Sequence, residues 1–327
     1  NFADRDHCLQ YIAAIGLSHL SIGEHCYLDY SDPELAAAVA REHRNVVIGV
    51  KVRIQKEVVA QHGLEPLRRG LRAAEAAGVP VIVHVNNPPV EYGEVLALLR
   101  PGDIVSHFLH GRGSGILDGE GRVKDAVLAA RRRGIVFDVA HGRNHVNFPV
   151  ARRAFEQGFC PDTISSDLTR PGRAGVVRDL PTTLSKFLCL GMRLPDVVRA
   201  ATAAPARAIG RSGDLGSLAV GAAGDAAAFQ VEDGRFPYQD AAGHTMPAWR
   251  APGVRPARGG GASAAGRGGG DQRYRADPLG LERGADPRAP RARSGGARPA
   301  RRVYRDRGTA RDAGRKRARR VARACNP

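Results

Sequence analysis

Residues 79–111 read VPVIVHVNNPPVEYGEVLALLRPGDIVSHFLHG. A run apolar on successive positions (Val79–Val85) leads into an amphipathic stretch (Tyr92–Leu99), then into a second apolar run (Asp103–Phe108). Strands that are apolar on consecutive residues are covered on both faces, which is the habit of parallel sheets flanked by helices. The same alternation extends outward. Strands are predicted at Leu9–Ile15, Val46–Val52, Gly134–Val139 and Thr163–Asp167 as well. Helices with apolar residues three and four apart are predicted at Pro33–His43, Leu64–Ala77, Arg122–Arg133 and Phe148–Gln157, then at Pro181–Leu190, Pro195–Ala203 and Pro205–Ile209. The segment Ser31-Asp32-Pro33-Glu34 is a helix start, with a capping side chain, an early proline and a first-turn acid. Six strand–helix units before residue 170 imply an α/β fold with a parallel sheet and right-handed crossovers. Periodicity alone leaves a doubly wound sheet and a (β/α)8 barrel both open.

The 327 residues carry a formal net charge of +17, but unevenly. From Met246 to Pro327 there are 21 Arg, one Lys and six acidic residues, so the preceding body is close to neutral. A near-neutral body argues against a nucleic-acid-binding face on the folded part. No apolar run approaches the roughly 18 residues of a membrane span, so no membrane partner is expected. The five cysteines (8, 26, 160, 189 and 325) are scattered and form no C-x-x-C pair, which points away from a disulfide scaffold and toward the cytoplasm. The chain starts at Asn1 rather than Met and opens on no apolar leader, so it is read as starting inside a longer gene product. From about Gly243 the sequence turns Gly/Pro/Arg/Ala-rich, a composition too poor in large apolar groups to offset the entropy of ordering. The same composition is what a GC-rich gene encodes in a shifted frame.

The chemistry lies where the predicted strands end. Lys51, His84, His107, His141 and Asp167 each close or follow a strand run. In parallel α/β folds the carboxyl ends of the strands hold the active site. Each residue alone has a plainer role. A lone His there is a hydrogen-bonded edge residue, Lys51 can reach out to solvent, and Asp167 can cap the next helix. Imidazoles and a carboxylate converging on one mouth make a first-row metal site instead. A buried Lys51 with a depressed pKa exposes a neutral amine that reacts with carbon dioxide, and the resulting carbamate can bridge two cations.

These segments, in this order, resemble the amidohydrolase superfamily, and within it the dihydroorotase-like amidohydrolase/deacetylase branch. The resemblance rests on VIGVKVR (47–53), VHVNNPP (83–89), LLRPGDIVSHFLHG (98–111), GILDGEGRV (115–123), FDVAHG (137–142), DTISSDL (162–168), LPTTLSK (180–186) and ATAAPARAIG (201–210), with the turn at 221–225. It implies a (β/α)8 TIM barrel with a small β-sandwich, and hydrolysis of amide or ester bonds in a small molecule. It implies two divalent metals, usually zinc, bridged by a carboxylated Lys51. His84 and His107 would ligate one metal, and Asp167 the other. A metal-bound hydroxide would attack the substrate carbonyl with Asp167 as general base and acid. His141 and Arg112 are similar to substrate-binding groups, and arginines at 53, 112 and 143 suit an anionic substrate. His110 would face away from the metals, and His7, His19, His25, His43 and His62 match no ligand position.

The chain also departs from that pattern. No His-x-His pair, the ligand pair of the family's first strand, occurs anywhere. The expectation is an N-terminally truncated barrel over 1–210, lacking two strands and unable to close. Remnant sandwich strands would follow over 211–242, and a disordered tail over 243–327. Metal binding through His84, His107 and Lys51 would then be weak or single, with little turnover by this chain alone. Two alternatives stand beside the hydrolase: a catalytically inactive remnant, and nucleic-acid binding through the Arg-rich tail. Homo-oligomerisation is left open.

Overall fold

The computed structural model describes residues 9–13, 32–223, 225–246 and 250–256. Strands β1 (Leu9–Ala13), β2 (Val47–Ile54), β3 (Val81–Val85), β4 (Ile104–Ser106) and β5 (Val136–Asp138) form one sheet in sequence order. The helices are α1 (Pro33–Glu42), α2 (Lys56–Val59), α3 (Glu65–Ala77), α4 (Tyr92–Leu98), α5 (Asp125–Arg132), α6 (Phe148–Glu156), α7 (Arg170–Ala174), α8 (Leu180–Cys189), α9 (Leu194–Ala201) and α10 (Ala203–Ala208). A second sheet pairs β6 (Phe229–Arg235) with β7 (Arg250–Pro256) antiparallel. The helix termini follow the local chemistry. Asp32 accepts from the Glu34 amide with Pro33 behind it, and Gly78 closes α3 in a left-handed turn.

β2 through β5 run parallel, and their register sorts the residues by face. Val52, Val83, Val105 and Phe137 are in register and fully buried. They line the face packed by helices. The alternate positions put Lys51, Ile82, Ile104 and Val136 in one row, and Arg53, His84, Ser106 and Asp138 in the next. The polar groups of these otherwise apolar strands thus fall on the alternate positions, the face away from the helices, and gather in the row nearest the carboxyl ends. Under the helix face, Phe108, Phe137 and Phe159 pack edge to face, and the Arg131 guanidinium lies 3.7 Å from the Phe159 ring centroid.

Three expectations are corrected. β1 is antiparallel to β2, not parallel, with Gln10 opposite Lys51 and an irregularity between Tyr11 and Ala13. The free edge of β2 offers N–H and C=O groups that a strand of either direction can satisfy. Thr163–Asp167 is not a regular strand. It runs beside β5 through a bridge from Asp138 to Thr163, and through amides of Val139, His141 and Gly142 donating to the carbonyls of Thr163, Ser165 and Ser166. Positive φ at Ala140 (38°) and Asp167 (43°) breaks the ladder there. Order also continues past the boundary expected at Gly243. Met246 is buried, and β7 supplies the hydrogen-bonding edge that β6 needs. The rest of the expected tail, 257–327, lies outside the described residues, as do His7, His19 and His25. Among the described residues no helix is long and apolar enough to cross a membrane.

Candidate functional site

His84 is the penultimate residue of β3, and His107 directly follows β4. Parallel pairing brings these strand ends side by side. The two rings meet with centroids 4.0 Å apart. His107 is fully buried, and its Nδ1–H donates to the Ala140 carbonyl at 2.6 Å. That bond fixes the tautomer and leaves the Nε2 lone pair free. The Nε2 atoms of both His84 and His107 are buried without a hydrogen-bond partner among the described residues. A buried polar nitrogen with no partner is destabilising unless something else fills its lone pair. Burial, chiefly, pushes the pKa of His84 down to about 2 and that of His107 well below the ordinary value, with the neighbouring histidines adding to it. Both are therefore neutral donors at pH 7. This fits a divalent cation, whose ligands must be unprotonated.

A third imidazole joins them, one that does not stand at a predicted strand end. His145 lies 4.0 Å from His107 and 4.9 Å from His84, centroid to centroid. One ring nitrogen from each of the three histidines lies within 4.8 Å of the others. A signal was present: His141 and His145 stand four apart just beyond a predicted strand. The turn Gly142–Asn147 that folds His145 back cannot be read from periodicity. Asp138 likewise lies outside the expected set. Its side chain accepts from Thr163 Oγ1 and Ser165 Oγ, each at 2.7 Å. Burial raises its pKa, those hydrogen bonds and the Lys51 charge oppose the rise, and Asp167 adds to it. The period-two alternation of Val136-Phe137-Asp138 places Asp138 on the polar face.

Lys51 stands on that same face, one row below His84. Burial lowers its pKa, and the charges of Asp167 and Asp138 pull the other way. Burial raises the pKa of Asp167, and Lys51 and Arg53 oppose it. The expected residues Lys51, His84, His107 and Asp167 are thus gathered within one electrostatic neighbourhood. Gly142 makes the approach of Asp167 and His145 possible. A Cβ there would lie 2.5 Å from Asp167 Oδ2 and 2.6 Å from the His145 ring.

The two expected substrate groups are turned elsewhere. His141 is fully buried and donates Nδ1–H to the Gly142 carbonyl, while its Nε2 accepts from the Lys186 ammonium at 2.9 Å. Arg112 is exposed and pairs with Glu57 at 3.2 Å. His110 stays outside the cluster, with its Nδ1 taking the Arg112 amide. His43 and His62 are exposed. A cavity of about 280 Å³, lined by Arg112, Asn144, Val146 and Ala241 among others, opens beside the His145 turn. A larger one of about 460 Å³ borders Gly78, Pro80 and Pro101, at the opposite ends of the strands, away from the histidines.

Comparison with known proteins places the chain in a family. The profile of the Amidohydrolase family matches residues 29–249. A protein named deacetylase from Enterococcus faecalis is 32% identical over 201 residues, covering 61% of this chain and 54% of that protein. A deacetylase from Brucella anthropi is 36% identical over 201 residues, covering 60% and 49%. The chain therefore spans about half the length of the curated relatives it matches. Among solved structures, a dihydroorotase superposes with a TM-score of 0.61 at 32% identity, over 69% of this chain and 61% of that one. An adenine deaminase superposes with a TM-score of 0.65 at 30% identity, with the same coverage.

Proposed function

Because the chain belongs to the amidohydrolase family, we propose that it serves metal-dependent hydrolysis of amide or ester bonds, as a deacetylase of the dihydroorotase-like kind. One observation carries the reading: the paired, buried, partnerless Nε2 atoms of His84 and His107, beside Lys51 and Asp167. His84, His107, Lys51 and Asp167 are the residues we assign to holding the metal, with Lys51 as its carbamate. Zinc is the ion that nitrogen and oxygen donors of this number suit. Such a cation, when bound, acts as a Lewis acid on a carbonyl and acidifies water.

The chain's own residues do the rest. A raised pKa lets the Asp167 carboxyl accept a proton from the attacking water and deliver it to the leaving nitrogen or oxygen at the same oxygen atom. Asp138, held by the Thr163 and Ser165 hydroxyls, faces Lys51 and Asp167 and couples to their ionisation, its own pKa raised by burial. Arg53, part-buried and anchored on Gln55, is the cation we assign to an anionic group of the substrate. Arg112 and His141 act from the rim and from behind, through Glu57 and Lys186. In this reading residues 1–210 are the catalytic unit; Cys160 is disulfide-bonded, against the expectation drawn from the scattered cysteines.

The test is hydrolysis of N-acetyl amino acids by the zinc-loaded full chain, with zinc per chain counted with and without bicarbonate. Asp167→Asn is expected to lower kcat by about a hundredfold or more. Unchanged kcat in that variant would overturn the assignment. Zinc uptake without turnover would favour the inactive-remnant reading, which the missing His-x-His pair supports.

A further inference from the structure

We propose that His145 completes a three-imidazole site with His84 and His107 that takes a single first-row divalent cation without a His-x-His pair. The inference rests on the metal reading above and deepens it.

Three observations meet at this point. The three rings stand within 4.0–4.9 Å of one another, and a ring nitrogen from each lies within 4.8 Å of the other two. Two of the nitrogens, Nε2 of His84 and of His107, are buried and partnerless, so they have lone pairs with nothing to bind. The third ring is held by its own contacts. The Cδ2 edge of His145, next to its Nε2, lies over Gly142 beside Asp167, where any side chain at 142 would collide with it.

Asn86 decides which nitrogen of His145 is free. Its amide Nδ2 lies 2.8 Å from His145 Nδ1, while its Oδ1 is buried without a partner. Half a turn of that amide puts Oδ1 opposite Nδ1. Nδ1 then carries the proton and donates, which leaves Nε2 as the unprotonated nitrogen of the ring. Asn86 is thus a positioning residue for the third ligand. Three neutral imidazoles leave the fourth position of a tetrahedral ion to the Lys51 carbamate of the reading above, a donor set that suits zinc or cobalt.

The experiment is titration of the full chain with Co2+, read by its visible absorption band. One Co2+ per chain is expected. His145→Ala should weaken binding by at least roughly tenfold, since losing a ligand exceeds the loss of an outer partner. The exposed His62→Ala should bind as the parent does. If His145→Ala keeps the parent affinity and spectrum while His107→Ala loses them, this inference falls and the metal reading stands. If the parent takes up no Co2+, or His107→Ala binds unchanged, both fall. A second measurement needs no variant. Saturating Zn2+ should protect His145 of the parent chain from diethyl pyrocarbonate, mapped by peptide mass spectrometry; modification at 145 that zinc does not slow would overturn the inference.

Discussion

His107, Ala140 and Asp167 hold φ values of 69°, 38° and 43°, a region that L-residues rarely adopt. All three sit where strands stop and functional side chains start. Strain of this kind persists when surrounding contacts over-determine it, and it turns a side chain out of the pleat. Gly142 shares the conformation, at φ 46°, and has no room for a Cβ. Gly142→Ala is therefore expected to displace Asp167 and His145, destabilising the fold by about 1–3 kcal/mol and weakening Co2+ binding. Urea denaturation and the Co2+ titration read the two effects separately. Lys186 is the other residue-scale case. It is 1% exposed and donates to His141 Nε2 and to the carbonyls of Val176 and Gln239. Burial pushes its ammonium down to about 8, against the raising pull of Asp240. Between about pH 8 and the ordinary lysine value near 10.4, the unfolded chain binds more protons than the folded one, so stability should rise with pH. That rise should be smaller in Lys186→Met, as denaturation at pH 7.5 and 9.5 would show.

At the scale of elements, the parallel strands do two jobs with a period of two. Val52, Val83, Val105 and Phe137 face helices, and the alternate residues face the site. Phe137 ties β5 to Phe108 and Phe159 while Asp138, its neighbour, stands on the polar face. Phe137→Ala should lower stability by about 3–5 kcal/mol through the cavity it leaves. A loss under 1 kcal/mol on chemical denaturation would mean that the helix face is not packed as described. Helix α8 positions Lys186, and its first turn is capped by Asp179, which accepts from the Thr182 amide at 2.7 Å.

At the scale of the molecule, burial keeps several imidazoles neutral at pH 7, some in the site and some beside it. Burial, the first cause in each case, lowers His84 to about 2, His145 to about 3, and His110 and His141 to about 4. Unfolded histidines titrate near 6.5. Below that pH the unfolded chain binds the extra protons, so stability is retained above about 6.5 and lost as the pH falls. The slope is up to about 1.4 kcal/mol per pH unit for each such histidine. The stability of the metal-free chain measured from pH 7 to 4.5 should fall steeply, with several protons taken up on unfolding. A flat profile would show these rings to be solvated. Zinc should flatten it by keeping the ligands unprotonated.

The order of strands and helices was legible because burial on both faces leaves a continuous apolar signature, and caps such as Asp32-Pro33 act through neighbours only. Lys51, His84, His107 and Asp167 were legible for the same reason, as polar residues at the ends of apolar runs. The direction of β1, the strand at 250–256 and the placement of His145 were not. Each depends on which partner a free edge or a folded-back turn meets, and those partners lie 15 to 61 residues away in sequence. Sequence alone thus determined the alternation and which polar residues close its apolar runs. The tertiary structure alone decided which of them share a point in space, because only the register between strands sets the distance from one imidazole to the next.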